Sequence, residues 1–361
     1  MCSESISAPV HQTGGAPHHD VQTLILPELT LESGRVMRLV PVAYQTWGRL
    51  NSRGDNAVVV CHALTGDTDA EAWWPELIGP GRPIDTDRLF VVCANTLGSP
   101  YGSASPLTVD PDTGGAYGAS FPDVTIRDTV SSHRALLSHL GVQRVAHVIG
   151  GSMGGMLALE WAFHRHLVRS FSVVAAGGRH SPWSIAWGEA QRQAIFADPD
   201  FRDGAYSPDR PPLRGLSVAR MMAMVSYRSA GEFSGRFGRD RSDAGFEVES
   251  YLHHQGQKLN GRFDANCYIS LTRQMDTHDV GRSRGGYEHA LDALPQPAVV
   301  VGIRSDVLYP LEEQAELASL LPAGRLEVLS SPYGHDSFLV DREGLAGIVA
   351  PFLNQFVYPY C

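Results

Sequence analysis

The chain has 361 residues, of which 19% are charged, and its formal net charge is -10 at pH 7. This length exceeds one average domain and suits a large core that carries an inserted segment. The negative charge disfavours a polyanion such as nucleic acid as the main partner.

Residues 1–20 are rich in Ser, Pro, Gly and His without periodicity, which predicts a flexible tail. They lack the basic stretch and apolar run of a secretory signal, and no later segment approaches about 18 consecutive apolar residues. We therefore expect a cytoplasmic protein that makes no membrane contact. The cysteines are odd in number and scattered, which suits reduced thiols: Cys2, Cys61, Cys93, Cys267 and Cys361. No Cys-x-x-Cys or His-Glu-x-x-His spacing supports a metal site.

Six short apolar runs follow the tail and predict buried β-strands. In chain order they are 56–62, 89–94, 145–149, 171–174, 298–303 and 326–329. Continuous Val-rich strands indicate a sheet that is buried on both faces and is therefore largely parallel. Residues 125–140 predict an amphipathic crossover helix that ends at Gly141. The alternation predicts an α/β fold in which helices flank a mostly parallel sheet.

Residues 179–295 interrupt this alternation. They contain helical pieces such as 184–196 and 216–225, Gly/Arg-rich loops and no strong strand run. We interpret them as a helical lid subdomain, inserted into an α/β core that comprises residues 21–178 and 296–361.

The sharpest local motif is Gly150-Gly-Ser152-Met-Gly154, which lies between an apolar strand and the amphipathic run 157–163. A serine at such an elbow sits on a tight turn, where side chains at the flanking positions would collide with the neighbouring strand and helix. Its oxygen is presented at a helix N-terminus, which favours developing negative charge. The alternative is a glycine-rich structural turn with an incidental serine. In this context the motif predicts the nucleophile of an α/β hydrolase.

Two further residues have the expected chain order for this fold, in which an acid and then a histidine follow the serine. Asp306 comes just after the strand 298–303, and His335 follows the strand 326–329. Taken alone, Asp306 could cap the helix at 311–320 and His335 could be a turn residue. Their order at two strand ends predicts a Ser-His-Asp catalytic triad.

The oxyanion hole of such a site uses two backbone N–H groups. One belongs to the residue after the nucleophile, here Met153. The loop His62-Ala-Leu-Thr-Gly66 follows an early strand, and we predict Leu64 as the second donor. The alternative for this loop is a turn that closes the strand at Gly66.

Eight segments in order carry a resemblance to a known family. They are His62–Gly66, Asn95–Ser99, Tyr117–Asp128, Gly150–Met156, Arg179–Trp183, Ala219–Ser229, Met275–Val280 and Gly334–Asp336. Through them the chain, from about Ala43 to its C-terminus, resembles the homoserine O-acetyltransferase family of α/β-hydrolase-fold enzymes. The resemblance implies transfer of an acetyl group from acetyl-CoA to the hydroxyl of L-homoserine through a serine acyl-enzyme, a step toward methionine. It also implies a homodimer formed through the helical insertion, with acyl-CoA as a co-substrate and no bound cofactor.

The resemblance assigns two substrate-binding residues. Arg220 would hold the carboxylate of the acceptor, and Asp336 would hold its ammonium group. An amino-acid zwitterion needs one cation and one anion at fixed separation, and a guanidinium can bind a carboxylate with two parallel hydrogen bonds. Without the resemblance, Arg220 would be interpreted as a solvated helix residue and Asp336 as a turn-stabilising residue.

The loop 98–106 departs from the family pattern, which has Cys where Pro100 stands and Thr-Gly where Ala104-Ser105 stand. This departure leaves open a succinyl-CoA-dependent homoserine or serine O-succinyltransferase. A serine esterase is a further alternative, since it needs only the triad and the oxyanion hole. A non-enzymatic interaction protein would lack a triad member, and none is missing from the sequence.

Overall fold

The computed structural model describes residues 20–243 and 245–360, so nearly all of the predicted tail lies outside the described residues. The strands are β1 Gln22–Thr30, β2 Val36–Trp47, β3 Ala57–Cys61, β4 Ile78–Gly79, β5 Ile84–Asp85, β6 Phe90–Ala94, β7 Val145–Gly151, β8 Phe171–Val174, β9 Arg241–Ser242, β10 Gly245–Phe246, β11 Ala298–Ile303 and β12 Gly324–Leu329. The α-helices are α1 Ala70–Trp73, α2 Ile126–His139, α3 Met153–Ala162, α4 Pro182–Phe196, α5 Leu213–Tyr227, α6 Ala230–Phe237, α7 Glu247–Asn260, α8 Ala265–Asp276, α9 Tyr287–Asp292, α10 Leu311–Leu320, α11 Ser337–Val340 and α12 Arg342–Phe356.

The main sheet has eight strands in the order β1-β2-β6-β3-β7-β8-β11-β12. The six predicted strands are all present, and each pairs in parallel with its neighbours among them. The mostly parallel sheet is therefore confirmed. Sequence analysis missed β1 and β2, which form an antiparallel pair and join the sheet antiparallel to β6.

The central strands are buried on both faces because helices cover both sides of the sheet. All five residues of β3 are buried. Val59 contributes to the core on the side of α3, whereas Val58 and Val60 contribute to the core on the side of α12. This alternation follows from the two-residue period of a strand, and it explains why the strand shows no polar positions.

The predicted helices 184–196 and 216–225 correspond to α4 and α5, and both begin earlier than predicted. Ser181 caps α4 by accepting a hydrogen bond from the backbone of Ser184. The segment between β8 and β11 is largely helical, with β9 and β10 as a short pair of strands. Its interpretation as a separate lid subdomain stays a prediction.

The C-terminal end of α5 packs closely on the loop after β12. Gly334 has a φ of +69°, and a Cβ there would lie 2.6 Å from the backbone carbon of Arg228. Ser229 Oγ donates to the Pro332 carbonyl across the same contact at 2.5 Å. Glycine is therefore required at position 334, and its absence of a side chain brings α5 against the segment that carries His335.

Candidate active site

Ser152 lies at the sharp turn between β7 and α3, with φ 58° and ψ -125°. A Cβ at Gly150 would lie 2.2 Å from the carbonyl oxygen of Gly154, and one at Gly154 would lie 2.1 Å from the carbonyl oxygen of Cys61. Both distances are far below van der Waals contact. The collisions expected from the sequence are thus present, and the glycines are what allow the serine to occupy this elbow.

The structure brings Ser152, His335 and Asp306 together in one hydrogen-bonded chain. His335 Nδ1 lies 2.6 Å from Asp306 Oδ2, and His335 Nε2 lies 2.8 Å from Ser152 Oγ. The other oxygen of Asp306 accepts from the backbone N–H groups of Leu308 and Tyr309. Asp306 therefore fixes its own turn and does not cap α10. Because the carboxylate only accepts, it selects the His335 tautomer in which Nε2 is free to take the Ser152 proton.

The pKa of His335 is raised above its ordinary value. Burial of the imidazole acts in the opposite direction, but the charges of Asp306 and Asp336 and the hydrogen bond that Nδ1 donates to Asp306 outweigh it. A higher pKa means that the imidazolium is stabilised, so the ring is a stronger base for a serine or substrate hydroxyl.

The loop that contains Leu64 follows β3, whose last residue Cys61 pairs with Gly150 beside the elbow. His62 Nδ1 lies 2.9 Å from the Ala63 carbonyl, which also accepts from Gly66 N–H. His62 Nε2 accepts from Thr96 N–H at 3.0 Å. The Ala63 carbonyl and the Leu64 N–H belong to one planar peptide and point in opposite directions. His62, which sequence analysis gave no role, therefore fixes the direction of the Leu64 donor.

Among the described residues, the two predicted oxyanion donors have no protein acceptor. Within residues 20–243 and 245–360, no acceptor contacts the backbone N–H of Leu64 or of Met153. Met153 is the first residue of α3, where N–H groups have no partner within the helix. Both groups are thus available to an oxyanion.

Arg220 and Asp336 reach the same site from different elements. Arg220 lies on α5, half-buried, with its guanidinium carbon 5.6 Å from the ring centroid of Tyr227. Among the described residues no carboxylate lies within ion-pair distance of it. Asp336 adjoins His335, and its Oδ2 lies 3.2 Å from Arg228 Nε. Burial raises the pKa of Asp336, against the opposing charges of Arg228, His335 and Arg220.

Three aromatic rings surround the imidazole of His335, and sequence analysis assigned none of them. The ring centroids of Tyr309, Phe338 and Tyr227 lie 5.1, 5.6 and 5.7 Å from that of His335. Burial raises the pKa of Tyr227 to about 12, so its hydroxyl stays protonated. One signal was available for Tyr227, because it follows Arg220 by seven residues, which is two helical turns and the same face.

The loop 98–106, where the sequence departs from the family pattern, borders the Leu64 loop. Tyr101 contacts Arg262, whose Nη1 donates to the carbonyl of Thr65 at 2.8 Å. Ala104 is fully buried, donates to the Pro41 carbonyl and accepts from Gly98 N–H. The positions that differ from the family pattern therefore lie in a packed turn next to the site.

Within the described part of the chain, no cluster of three or more His, Cys, Asp or Glu residues could hold a metal ion. Among the same residues, no helix has the length and apolar character that crossing a membrane requires.

Comparisons with known proteins give a consistent result. A family model described as the alpha/beta hydrolase fold matches residues 56–341. The homoserine O-acetyltransferase of Salinibacter ruber is 61% identical over 338 residues, covering 91% of this chain and 96% of that protein. The crystal structure of homoserine O-acetyltransferase from Bacillus anthracis has a TM-score of 0.86 and 26% identity, over 94% of this chain and 98% of that one. Esterase E22 is similar in structure, with a TM-score of 0.87 and 26% identity over 93% of this chain and 100% of that one.

Proposed function

Because the chain belongs to the homoserine O-acetyltransferase family of α/β-hydrolase-fold proteins, we propose that it transfers an acetyl group from acetyl-CoA to the hydroxyl of L-homoserine. The observation that carries this proposal is the buried chain from Ser152 through His335 to Asp306, beside Arg220 and Asp336. The product would be an activated homoserine for methionine biosynthesis. A metal has no part in the proposed reaction.

The reaction would proceed by double displacement. Ser152 Oγ attacks the thioester carbonyl while His335 Nε2 takes its proton, and the CoA sulfur leaves with that proton. The homoserine hydroxyl then gives its proton to His335 and attacks the acyl-enzyme, and Ser152 recovers the proton as it leaves. In both halves the N–H groups of Leu64 and Met153 would stabilise the tetrahedral oxyanion.

The acceptor would bind between α5 and the loop after β12. Arg220 would pair with the carboxylate of homoserine and Asp336 with its ammonium group. The absence of a carboxylate partner for Arg220 among the described residues supports the first role. For the second, Arg228 would keep Asp336 ionised in a partly buried position that otherwise favours the neutral form. An esterase has no need for such a pair of charges.

Replacing Arg220 with methionine should raise the KM for homoserine by about 10- to 100-fold, because a carboxylate loses a charge-assisted partner. The KM for acetyl-CoA should change little. Steady-state kinetics with each substrate varied in turn measures both values. Arg214→Met is the matched control, since Arg214 is an exposed arginine on the same helix. A rise confined to the KM for acetyl-CoA would instead place Arg220 in the donor site.

We propose that the protein acts in the cytoplasm as a homodimer joined through the helical segment. The free, buried thiols of Cys61, Cys93 and Cys267 suit a reducing compartment. On α5, Val218 and Val225 are 45% and 44% exposed and lie on one face, seven residues apart. Such an apolar face supports a contact between two copies.

Measurement of thiol release tests the function directly. Purified protein would be given acetyl-CoA or succinyl-CoA, each with homoserine, with serine or without an acceptor. We expect rapid release only from acetyl-CoA with homoserine. Preference for succinyl-CoA or for serine would keep the mechanism and change the specificity. Release that needs no acceptor would identify a hydrolase, an outcome to which the similarity with esterase E22 lends weight.

A further inference from the structure

Two segments that carry the family resemblance have no part in the proposed mechanism, and they meet in a partly buried hydrogen bond. His180, from the first segment, has Nδ1 3.1 Å from Asp276 Oδ1 in the second. Its backbone N–H donates to the His278 carbonyl at 2.8 Å. Asp276 Oδ2 is also bound by Arg192 Nη2 at 2.8 Å, and the side chain of Arg192 is only 6% exposed. The ion pair between Arg192 and Asp276 therefore fixes the Nδ1 side of the His180 ring.

The other nitrogen of His180 contacts a tyrosine. Its Nε2 lies 3.0 Å from the hydroxyl oxygen of Tyr309. Because the Asp276 carboxylate accepts, Nδ1 carries the proton and Nε2 accepts the hydrogen bond from Tyr309. Burial holds the pKa of Tyr309 well above its ordinary value, so the hydroxyl keeps its proton. We call the directed chain Tyr309–His180–Asp276 the tyrosine relay.

The tyrosine relay is attached to the triad through Tyr309. The backbone N–H of Tyr309 donates to Asp306 Oδ1 at 2.9 Å, and its ring lies 5.1 Å from the ring of His335. Tyr309 and His180 line one small cavity together with Leu64 and Tyr227. Tyr309 is therefore held at its backbone by the catalytic acid and at its hydroxyl by the helical segment.

The relay matters most once Ser152 is acylated. This inference rests on the proposed function, because the acyl-enzyme is an intermediate of that reaction. In the free protein the His335 ring is oriented by hydrogen bonds at both nitrogens. An acylated Ser152 has no proton to donate, so the ring is then held by Asp306 and by the packing of its aromatic neighbours. We propose that the tyrosine relay is a positioning device that keeps His335 aligned for the acceptor hydroxyl in the acyl-enzyme.

Such alignment would favour transfer over hydrolysis. Homoserine is held by fixed charges, so its hydroxyl cannot follow a displaced imidazole, whereas water can approach from several positions. Loosening the Tyr309 ring should therefore slow transfer more than hydrolysis. The relevant readout is the ratio of O-acetylhomoserine to acetate formed per thiol released.

The test is a double-mutant cycle with Tyr309→Phe and His180→Ala. We expect each single variant to lower the transfer-to-hydrolysis ratio by about 3- to 10-fold. This is the change in rate that the loss of one hydrogen bond typically causes. The double variant should lose no more than the larger single variant, because both changes break the same bond. His180→Gln keeps an acceptor for the Tyr309 hydroxyl and should restore most of the ratio.

A matched control separates positioning from general stability. His147 is a fully buried histidine that is hydrogen-bonded to Ser170 and Ser172, and it does not line the cavity. His147→Ala should lower the melting temperature and leave the ratio unchanged.

Should His180→Ala fail to fold, Tyr309→Phe still decides the matter, since it removes only the hydroxyl. An unchanged ratio in Tyr309→Phe, or independent losses that multiply in the double variant, would overturn the relay. A wild-type protein that forms no O-acetylhomoserine would overturn the proposed function and the relay together. If the wild type does form O-acetylhomoserine but the variants behave in one of these two ways, the relay fails and the proposed function stands.

Discussion

Ser152→Ala should lose acetyl transfer by about 10⁴- to 10⁶-fold, because no covalent intermediate can form without the serine hydroxyl. Wild-type protein mixed with acetyl-CoA in the absence of acceptor should gain the mass of one acetyl group, located on Ser152 by peptide mass spectrometry. The alanine variant should gain none. Thiol release in the same samples gives the rate.

The substitution should leave the structure of the elbow unchanged. Alanine removes one oxygen from a residue that is only 6% exposed, and the backbone bond from Ser152 N–H to the Val174 carbonyl remains. Ser132→Ala is a suitable control, since Ser132 is buried and its hydroxyl donates to the Thr129 carbonyl within α2. Transfer that survived in Ser152→Ala would point to direct attack of the acceptor on the thioester.

Asp306→Asn should lower kcat by about 10⁴-fold, with little change in stability. Asparagine can keep its oxygen toward the backbone N–H groups of Leu308 and Tyr309, which preserves the turn. Its amide nitrogen would then face His335 Nδ1 as a donor. The imidazole would adopt the tautomer with the proton on Nε2, and that nitrogen could no longer accept the proton of Ser152.

Two measurements check this prediction. Steady-state kinetics gives kcat, and thermal unfolding shows whether the fold is retained. Asp341→Asn is the matched control, because Asp341 also accepts a backbone hydrogen bond, from Gly344, but it caps α12 and is not a member of the triad. A loss of only a few fold in Asp306→Asn would mean that the carboxylate is not needed to set the tautomer.

Central strands such as β3 and β11 could be predicted from the sequence because burial on both faces leaves only apolar residues in them. The edge strand β12 is largely exposed, and its prediction rests on the short apolar pattern at its end. β1 could not be predicted, because its exposed positions include Glu28 and its burial follows no strict alternation. An edge strand that faces solvent contains polar residues, and a prediction from the local sequence alone cannot distinguish such a strand from a loop.

The triad could be predicted because each member follows a predicted strand in the order that the fold requires, and the structure joins the three residues. Their catalytic roles, and the roles of Leu64, Met153, Arg220 and Asp336, stay predictions. His180 and Tyr309 were beyond local reasoning, since 129 residues separate the two ends of their hydrogen bond. The triad spans still more of the chain, but its members are recognised by a motif and by their order after predicted strands, whereas neither His180 nor Tyr309 belongs to such a pattern.

The division of the proposed acceptor site between two parts of the chain has a thermodynamic consequence. Arg220 comes from the segment between β8 and β11, whereas Asp336 follows β12. A homoserine molecule bound to both would act as a reversible cross-link between them. By linkage, its binding free energy would oppose any motion that separates α5 from the loop around Gly334. The nucleophile would thus be shielded from water most tightly while the acceptor is bound, which is when the acyl group is transferred.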